Sequence, residues 1–244
     1  GDLNLSGERR PQSYLRETLW SDAPVSHIVV TPPVPSFPLN PDKADWSVWN
    51  FPDVVDHWNF PGYEGKKMTV SVYSNCEQVE LFLNGESLGK QENTADKKNT
   101  LVWEVPYAHG ILKAVSYNKG GEVGTATLES AGKVEKIRLS ADRTEIVADG
   151  NDLSYITLEL VDSKGIRNQL AEELVAFSIE GDATIEGVGN ANPMSIESFV
   201  ANSRKTWRGS NLLVVRSGKS SGRIIVTATV KALPVASITI TQKK

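Results

Sequence analysis

Residues 79–85, Val-Glu-Leu-Phe-Leu-Asn-Gly, carry the clearest signal of secondary structure in this chain. Val79, Leu81 and Leu83 alternate with other side chains, and this period of two is typical of a strand with one buried face. Asn84-Gly85 then predicts a two-residue hairpin, because a type I′ turn needs positive φ at both central positions. The stretch therefore predicts an antiparallel pair of strands.

The same period continues on both sides of this hairpin. Apolar residues alternate over 68–72 and 101–105, and two further strands are predicted at 110–118 and 121–129. Short strands separated by turn residues at this spacing are typical of a β-sandwich. We therefore predict an immunoglobulin-like sandwich over residues 25–131.

A second run of strands follows the predicted domain boundary at Ala131-Gly132. The predicted strands are 137–139, 156–161, 175–179, 212–215, 224–229 and 238–240. Turn residues at 149–152, 163–165 and 217–218 separate several of them. We predict a second immunoglobulin-like sandwich over 132–244, so that the chain is all-β apart from its N-terminus.

The N-terminal region differs from the rest. Residues 11–20 predict one short helix, because Pro11 suits a first helical turn and Tyr14, Leu15, Thr18 and Leu19 share a face. A helix of this length is marginal in water by itself, so it must pack on something. We expect it to dock on the first sandwich or on a second copy of the chain. No initiator Met opens the sequence, and we expect a piece of a longer protein.

Composition excludes several classes of function. The chain has 244 residues, a net charge of −4 and one cysteine, Cys76. We expect no nucleic-acid partner, no membrane span and no internal disulfide. The acidic loop 149–152 is interpreted as turn chemistry rather than a Ca²⁺ site, and residues 202–208 as a solvated or interdomain basic-aromatic loop rather than an anion site. We predict no metal and no cofactor.

Several segments together resemble one family. Residues 1–14, 57–62 with 70–76, 79–89, and 148–153 with 187–190 resemble, in order, the C-terminal region of β-galactosidase-like members of glycoside hydrolase family two. The resemblance implies that residues 1–24 are the last loop and helix of a catalytic TIM barrel. It further implies that 132–244 is a bacterial, invasin-like immunoglobulin domain.

The resemblance also implies what the chain does. Such enzymes are retaining hydrolases of β-linked sugars and use two carboxylates roughly 5 Å apart. The family's catalytic glutamates lie on earlier barrel strands, and Glu8 and Glu17 are interpreted as surface charges. We therefore expect a non-catalytic accessory region that supports the barrel of the same polypeptide, in a secreted protein of the bacterial periplasm or cell exterior.

Two other functions remain open at this stage. The aromatic segment 46–63 suits a carbohydrate-binding module, in which Trp46, Trp49, Trp58 and Tyr63 would stack on sugars. The same rings would also fill the sandwich core and the joint with the barrel, and we favour that interpretation. An adhesin-like immunoglobulin array is the third interpretation. The helix counts against it, because an adhesin array has no use for the end of a barrel.

Overall fold

The computed structural model describes residues 2–36 and 52–244. The chain divides into two compact units. The first contains Arg9–Ser130 with the residues up to Leu3, and the second contains Ala131–Lys244 with the short segment Asn4–Glu8. Both units are built from β-strands, and the described residues contain one α-helix, as the sequence predicts.

The helix, α1, runs over Ser13–Trp20 and belongs to the first unit. It is two residues shorter than predicted, because Pro11 and Gln12 form a turn before it. Tyr14 and Leu15 pack against buried Val29, Val54 and Tyr73. The expected docking of the helix on the first sandwich is therefore confirmed. Within the described ranges, no helix is long and apolar enough to cross a bilayer.

The first unit is a sandwich of two sheets. Its strands are β1 (Ser26–Val30), β2 (Lys67–Ser74), β3 (Gln78–Leu83), β4 (Glu86–Glu92), β5 (Thr100–Pro106), β6 (Ile111–Asn118) and β7 (Gly121–Glu129). One sheet has the order β1-β2-β5 and the other β4-β3-β6-β7. The predicted inward residues of β2, β3 and β5 form one buried core between the sheets.

The hairpin predicted at Asn84-Gly85 is present. Asn84 has φ 51° and Gly85 has φ 88°, and Leu83 pairs with Glu86 across the turn. The strand that follows, β4, carries no apolar alternation, because both of its faces are largely exposed at the edge of the sheet. For that reason the apolar pattern does not mark its bounds, although the Asn84-Gly85 turn predicts a partner strand at this place.

The second unit is also a sandwich of two sheets. Its strands are β8 (Lys136–Ala141), β9 (Glu145–Val147), β10 (Leu153–Val161), β11 (Leu174–Glu180), β12 (Ala183–Gly189), β13 (Ser203–Lys205), β14 (Ser210–Ser217), β15 (Gly222–Val230) and β16 (Ala236–Lys243). The sheet orders are β12-β14-β10-β8 and β13-β11-β15-β16-β9. The pair of β16 and β9 is parallel, and the other ladders of this unit are antiparallel. Apolar residues from both sheets form the core.

Candidate functional site

Trp58, the central residue of the predicted sugar site, is fully buried. Its ring makes edge contacts with Tyr107 at a centroid distance of 4.9 Å and with Phe60 at 5.9 Å. Its indole N–H donates to the carbonyl of Ala108 at 2.8 Å. Protein atoms therefore cover the ring, and in this structure Trp58 has no face free to stack on a sugar.

The other three predicted site residues are placed differently. Trp46 and Trp49 lie outside the described residues. Tyr63 is partly buried and packs against the same core as Trp58, and the Lys66 ammonium lies 4.6 Å from its ring centroid. The structure therefore does not gather an exposed row of aromatic rings from the part of this segment that it describes.

A polar network fixes α1 to the first unit. The Tyr14 ring stacks on the His27 imidazole with centroids 4.1 Å apart, and the Arg9 guanidinium lies 4.8 Å from the same Tyr14 ring. Glu17 accepts from Arg9 at 2.7 Å and lies 2.9 Å from His27 Nε2. The Arg9 hydrogen bond is the main reason that the pKa of Glu17 lies below its ordinary value. Glu17 thus has a structural role that its sequence context does not reveal.

Glu8 belongs to the segment Asn4–Glu8 and contacts the rest of the second unit. Its carboxylate accepts from Arg167 Nη1 at 3.0 Å, and the Ser210 hydroxyl lies 3.5 Å from it. The other carboxylate near Arg167 is that of Glu159, at 3.6 Å. The prediction that Glu8 is a surface charge therefore holds only in part: the Glu8 side chain stays 34% exposed, but tertiary packing pairs it with Arg167.

The basic-aromatic residues 202–208 contain an unexpected feature, because Arg204 is fully buried. Its guanidinium donates to the carbonyls of Val188 and Glu197 at 3.2 and 3.1 Å, and to the Ser195 hydroxyl at 3.1 Å. It also lies 4.1 Å from the centroid of the Phe199 ring. The prediction of a solvated or interdomain loop is wrong for Arg204, because its partners lie within the second unit.

The loop that Arg204 supports, residues 190–202, presents apolar side chains to solvent. Met194, Ile196, Phe199 and Val200 are all exposed, although the loop's base at Asn190 and Ala191 is buried. The Phe199 carbonyl accepts from the Val188 N–H at 2.8 Å, which ties the loop to strand β12. Exposed apolar side chains on an anchored loop are typical of an interaction surface.

Two open depressions lie elsewhere on the molecule. One, of about 700 Å³ in the second unit, is lined by Lys133, Glu135, Glu173, Lys231 and apolar neighbours. The other, of about 540 Å³ on the first unit, is lined by Phe82, Asn84, Gly85, Ile111, Lys113 and Val115. Neither lining includes an aromatic residue of the predicted sugar site.

The carboxyl groups of the described residues follow one pattern. Wherever such a pKa is displaced, it is lowered: this holds for Glu17, Asp96, Asp149, Asp152, Asp162, Asp182 and Glu186. For most of them a hydrogen bond is the largest cause. Burial raises the pKa of Asp162, but backbone N–H donors of residues 132 and 164–166 outweigh it. These groups are held as carboxylates by turns and ion pairs.

The acidic loop 149–152 and Cys76 are the remaining candidates for metal or thiol chemistry. In residues 2–36 and 52–244, no group of three or more His, Cys, Asp or Glu side chains could hold a metal ion. Asp149 accepts from the backbone N–H groups of Asn151 and Asp152, as the interpretation of this loop as a turn predicts. Cys76 is a buried free thiol.

Comparison with known proteins identifies the family. Residues 137–239 match glycoside hydrolase family 2 C-terminal domain 5, and residues 65–124 match a domain family of unknown function. The crystal structure of a glycosyl hydrolase family 2 member from Bacteroides cellulosilyticus is 99% identical with a TM-score of 0.99, and the match covers 100% of this chain and 32% of that one. This chain is the C-terminal region of a glycoside hydrolase family 2 protein.

Curated relatives of the family agree with this placement. A β-galactosidase of Bacteroides ovatus is 31% identical over 100% of this chain and 25% of its own length. A β-glucuronidase of Formosa agariphila is 30% identical over 79% of this chain and 20% of its own length. The chain therefore spans about a quarter or less of the curated family 2 relatives it matches here.

The two family matches fall on the two sandwiches. The match at 65–124 begins just before β2 and ends within β7, and the match at 137–239 extends from β8 into β16. The second match includes Arg204 and the loop 190–202. The polar network of α1 and the segment Asn4–Glu8 lie outside both matched ranges.

Proposed function

We propose that the chain is a non-catalytic accessory region of a family 2 glycosidase, and that it supports the catalytic barrel of the same polypeptide. The parent protein would hydrolyse O-glycosidic bonds of β-linked sugars with retention, as a β-galactosidase-like enzyme. In this proposal residues 1–24 end the barrel, and 25–131 and 132–244 are the two immunoglobulin-like domains.

The hydrogen bonds that occupy the carboxylates of the described residues support the non-catalytic part of the proposal. A retaining glycosidase needs a carboxylic acid that stays protonated near neutral pH, which requires a raised pKa. The displaced carboxyl groups of the described residues all have lowered pKa values instead. Hydrogen bonds to backbone or to basic side chains occupy them, so they are suited to holding loops and helix rather than to donating a proton.

Incomplete packing of α1 is the observation in favour of contact between this chain and the catalytic barrel. Tyr14 and Leu15 face the first sandwich, but Leu19 and Trp20 remain 64% and 85% exposed. Large apolar side chains left in water at the end of a short helix are costly, at about 1.5–3 kcal/mol for each side chain that could be buried. The bulk of the parent protein would supply the missing surface.

Catalysis is tested with the purified chain and the full-length parent in parallel. We expect the parent to release nitrophenol from a nitrophenyl β-galactoside or β-glucuronide, and the chain alone to release none. Turnover by the chain that disappears when one of its own carboxylates, such as Glu135 or Glu173, is changed to Gln would overturn the non-catalytic role.

Support of the barrel is tested with Trp20→Ala, made both in the chain and in the full-length parent. We expect the melting temperature of the chain to stay the same, because Trp20 is exposed there, and that of the parent to fall by several degrees. The matched control is Val123→Ala, which alters an apolar residue that is 39% exposed on strand β7. Equal melting temperatures for parent and Trp20→Ala parent would contradict the packing role of α1.

Carbohydrate binding by the aromatic segment 46–63 is the alternative function. Burial of Trp58 counts against it, because Trp58 is the central residue of that sugar site. Tryptophan fluorescence of the chain, titrated with galactose, lactose and a glycan panel, tests it directly. A saturable change that Trp58→Ala abolishes in a still-folded protein would favour a binding module. A saturable change that survives in Trp58→Ala would direct attention to Trp46 and Trp49.

The proposed location, periplasm or cell exterior, rests on the family resemblance. A single buried cysteine is compatible with an oxidising compartment, since the fold requires no disulfide. Cell fractionation of a bacterium that produces the full-length parent decides the matter. Recovery of the parent in the cytoplasmic fraction would refute this location without affecting the structural role.

A further inference from the structure

We propose that Phe199 is a sugar-stacking residue of the parent's substrate cleft, held in place by the buried Arg204. The ligand is a pyranose unit of the substrate other than the one recognised at the cleavage point. This inference rests on the proposed function, because it requires that the parent binds a β-linked saccharide.

The first observation is how the ring is mounted. The Arg204 guanidinium lies 4.1 Å from the Phe199 ring centroid, within cation–π range, while Phe199 itself is 53% exposed. One side of the ring thus rests on a fully buried cation, which donates to the Val188 and Glu197 carbonyls and to the Ser195 hydroxyl. An exposed aromatic ring fixed from behind loses little conformational entropy when a ligand covers its outer side.

The second observation is which segment lies beside the ring. A Cβ placed on Gly189 would lie 3.9 Å from Phe199 Cε1 and 3.8 Å from the Ser6 hydroxyl oxygen. Ser6 belongs to the segment Asn4–Glu8, which the Glu8–Arg167 ion pair at 3.0 Å fastens to the same unit. Phe199 and this segment therefore share one surface, with the side-chain-free Gly189 between them.

The family resemblance gives that surface its meaning. Residues 1–14 resemble the loop after the eighth barrel strand and the start of the eighth helix. In (β/α)₈ barrels the loops that follow the strands build the face at which substrates bind. Because Phe199 lies beside the segment Asn4–Glu8, we expect its ring at the substrate-binding face of the barrel, although its own domain lies outside the barrel.

The chemistry of the loop fits a sugar. The axial C–H groups of a pyranose form an apolar face that matches the exposed side of a phenyl ring, and Met194, Ile196 and Val200 extend that apolar surface. Docking of the same loop on another protein surface is the competing outcome. The fixed, singly covered Phe199 ring favours the sugar, since a protein contact would not require a prepared stacking plane.

The experiment uses the full-length parent and compares Phe199→Ala with Phe199→Trp and with Val200→Ala, a neighbouring exposed residue without a ring. Kinetics are measured with a one-sugar nitrophenyl glycoside and with β-linked oligosaccharides of increasing length. For Phe199→Ala we expect the KM of the longer substrates to rise about three- to tenfold, with the one-sugar KM unchanged. Phe199→Trp should retain a KM close to that of the native parent.

Two results would overturn the inference. The first is an unchanged KM for every substrate; if Phe199→Ala then also lowers the melting temperature of the parent, the loop is assigned to protein docking. The second is an equal rise of KM with Val200→Ala, which lacks a ring.

Calorimetric titration of the parent with the longest oligosaccharide separates this inference from the proposed function. Oligosaccharide binding that Phe199→Ala weakens would uphold the inference even in a parent without hydrolytic activity, although the proposed function would then fail. Binding that Phe199→Ala leaves unchanged would overturn the inference even in an active hydrolase.

Discussion

Replacing Arg204 by Met tests whether a buried cation organises the second unit. Met is similar in length and apolar, so it fills the space without supplying any donor. In the native chain the guanidinium donates to the Val188 and Glu197 carbonyls and to the Ser195 hydroxyl. Arg204→Met leaves these three acceptors without that partner.

The expected loss in free energy of unfolding follows from the three acceptors that lose the Arg204 donor. A buried acceptor left unsatisfied costs about 1–3 kcal/mol, and effects within one network are not additive. Removing the cation also removes its own desolvation cost, which offsets part of the loss. We therefore expect the free energy of unfolding of the second unit to fall by about 2–4 kcal/mol. With a urea m-value of about 1.5 kcal/mol/M, the midpoint falls by more than about 1 M.

Urea unfolding is followed by tryptophan fluorescence, to which the second unit contributes through Trp207, the only tryptophan beyond residue 131 in the sequence. Amide hydrogen exchange assigns each transition to one unit. The matched control is Arg216→Met in the same unit, because Arg216 is paired with Glu186 at 3.0 Å but its side chain is 39% exposed. The control should leave the midpoint unchanged. Equal midpoints for the two variants would refute the claim that burial makes the Arg204 contacts important.

Three further predictions concern the first unit. The hydrogen bond from Arg9 is the main reason that the pKa of Glu17 lies below its ordinary value of 4.5. The contribution of Glu17 to the docking of α1 is therefore complete above pH 4.5, and it is lost as the pH falls through the lowered pKa of the folded state. Amide exchange in Ser13–Trp20, corrected for its intrinsic pH dependence, should accelerate on acidification in the native chain but change little in Glu17→Gln; identical profiles would contradict this. Trp58→Phe should lower the free energy of unfolding by about 1–2 kcal/mol in a thermal melt, because the Ala108 carbonyl loses its donor; a neutral effect would mean that water replaces it. Gly110→Ala should lower the urea midpoint more than Gly85→Ala does. Both glycines have positive φ, so that alanine costs about 1 kcal/mol of backbone strain or more at either position. Only at residue 110 would the added Cβ also overlap the Asn84 side chain.

Much of the fold could be predicted because its signals are local. The alternation over 79–83 and the Asn84-Gly85 turn depend on a few adjacent residues, and β3 with its hairpin follows from them. The partner strand β4 follows from the turn alone, because an edge strand with two largely solvated faces has no apolar period of its own. The helix was found from its spacing, and its need for a packing surface followed from its length alone.

The candidate sites were decided by tertiary structure. The sequence 202–208 shows basic and aromatic residues, but whether Arg204 is solvated depends on carbonyls that the chain brings back from residues 188 and 197. Glu8 likewise finds Arg167 across 159 positions of sequence. The sequence allowed Trp58 to be a core residue or a binding residue. Its burial against Tyr107 in the structure makes it a core residue.

The family, the all-β class and the alternation of inner and outer faces can thus be predicted from the amino-acid sequence, because these depend on neighbouring residues and on motifs in a fixed order. Which polar and aromatic side chains are covered depends on the packing of the folded chain. Burial of a guanidinium or an indole is a property of the groups packed around it, and those groups come from distant parts of the chain.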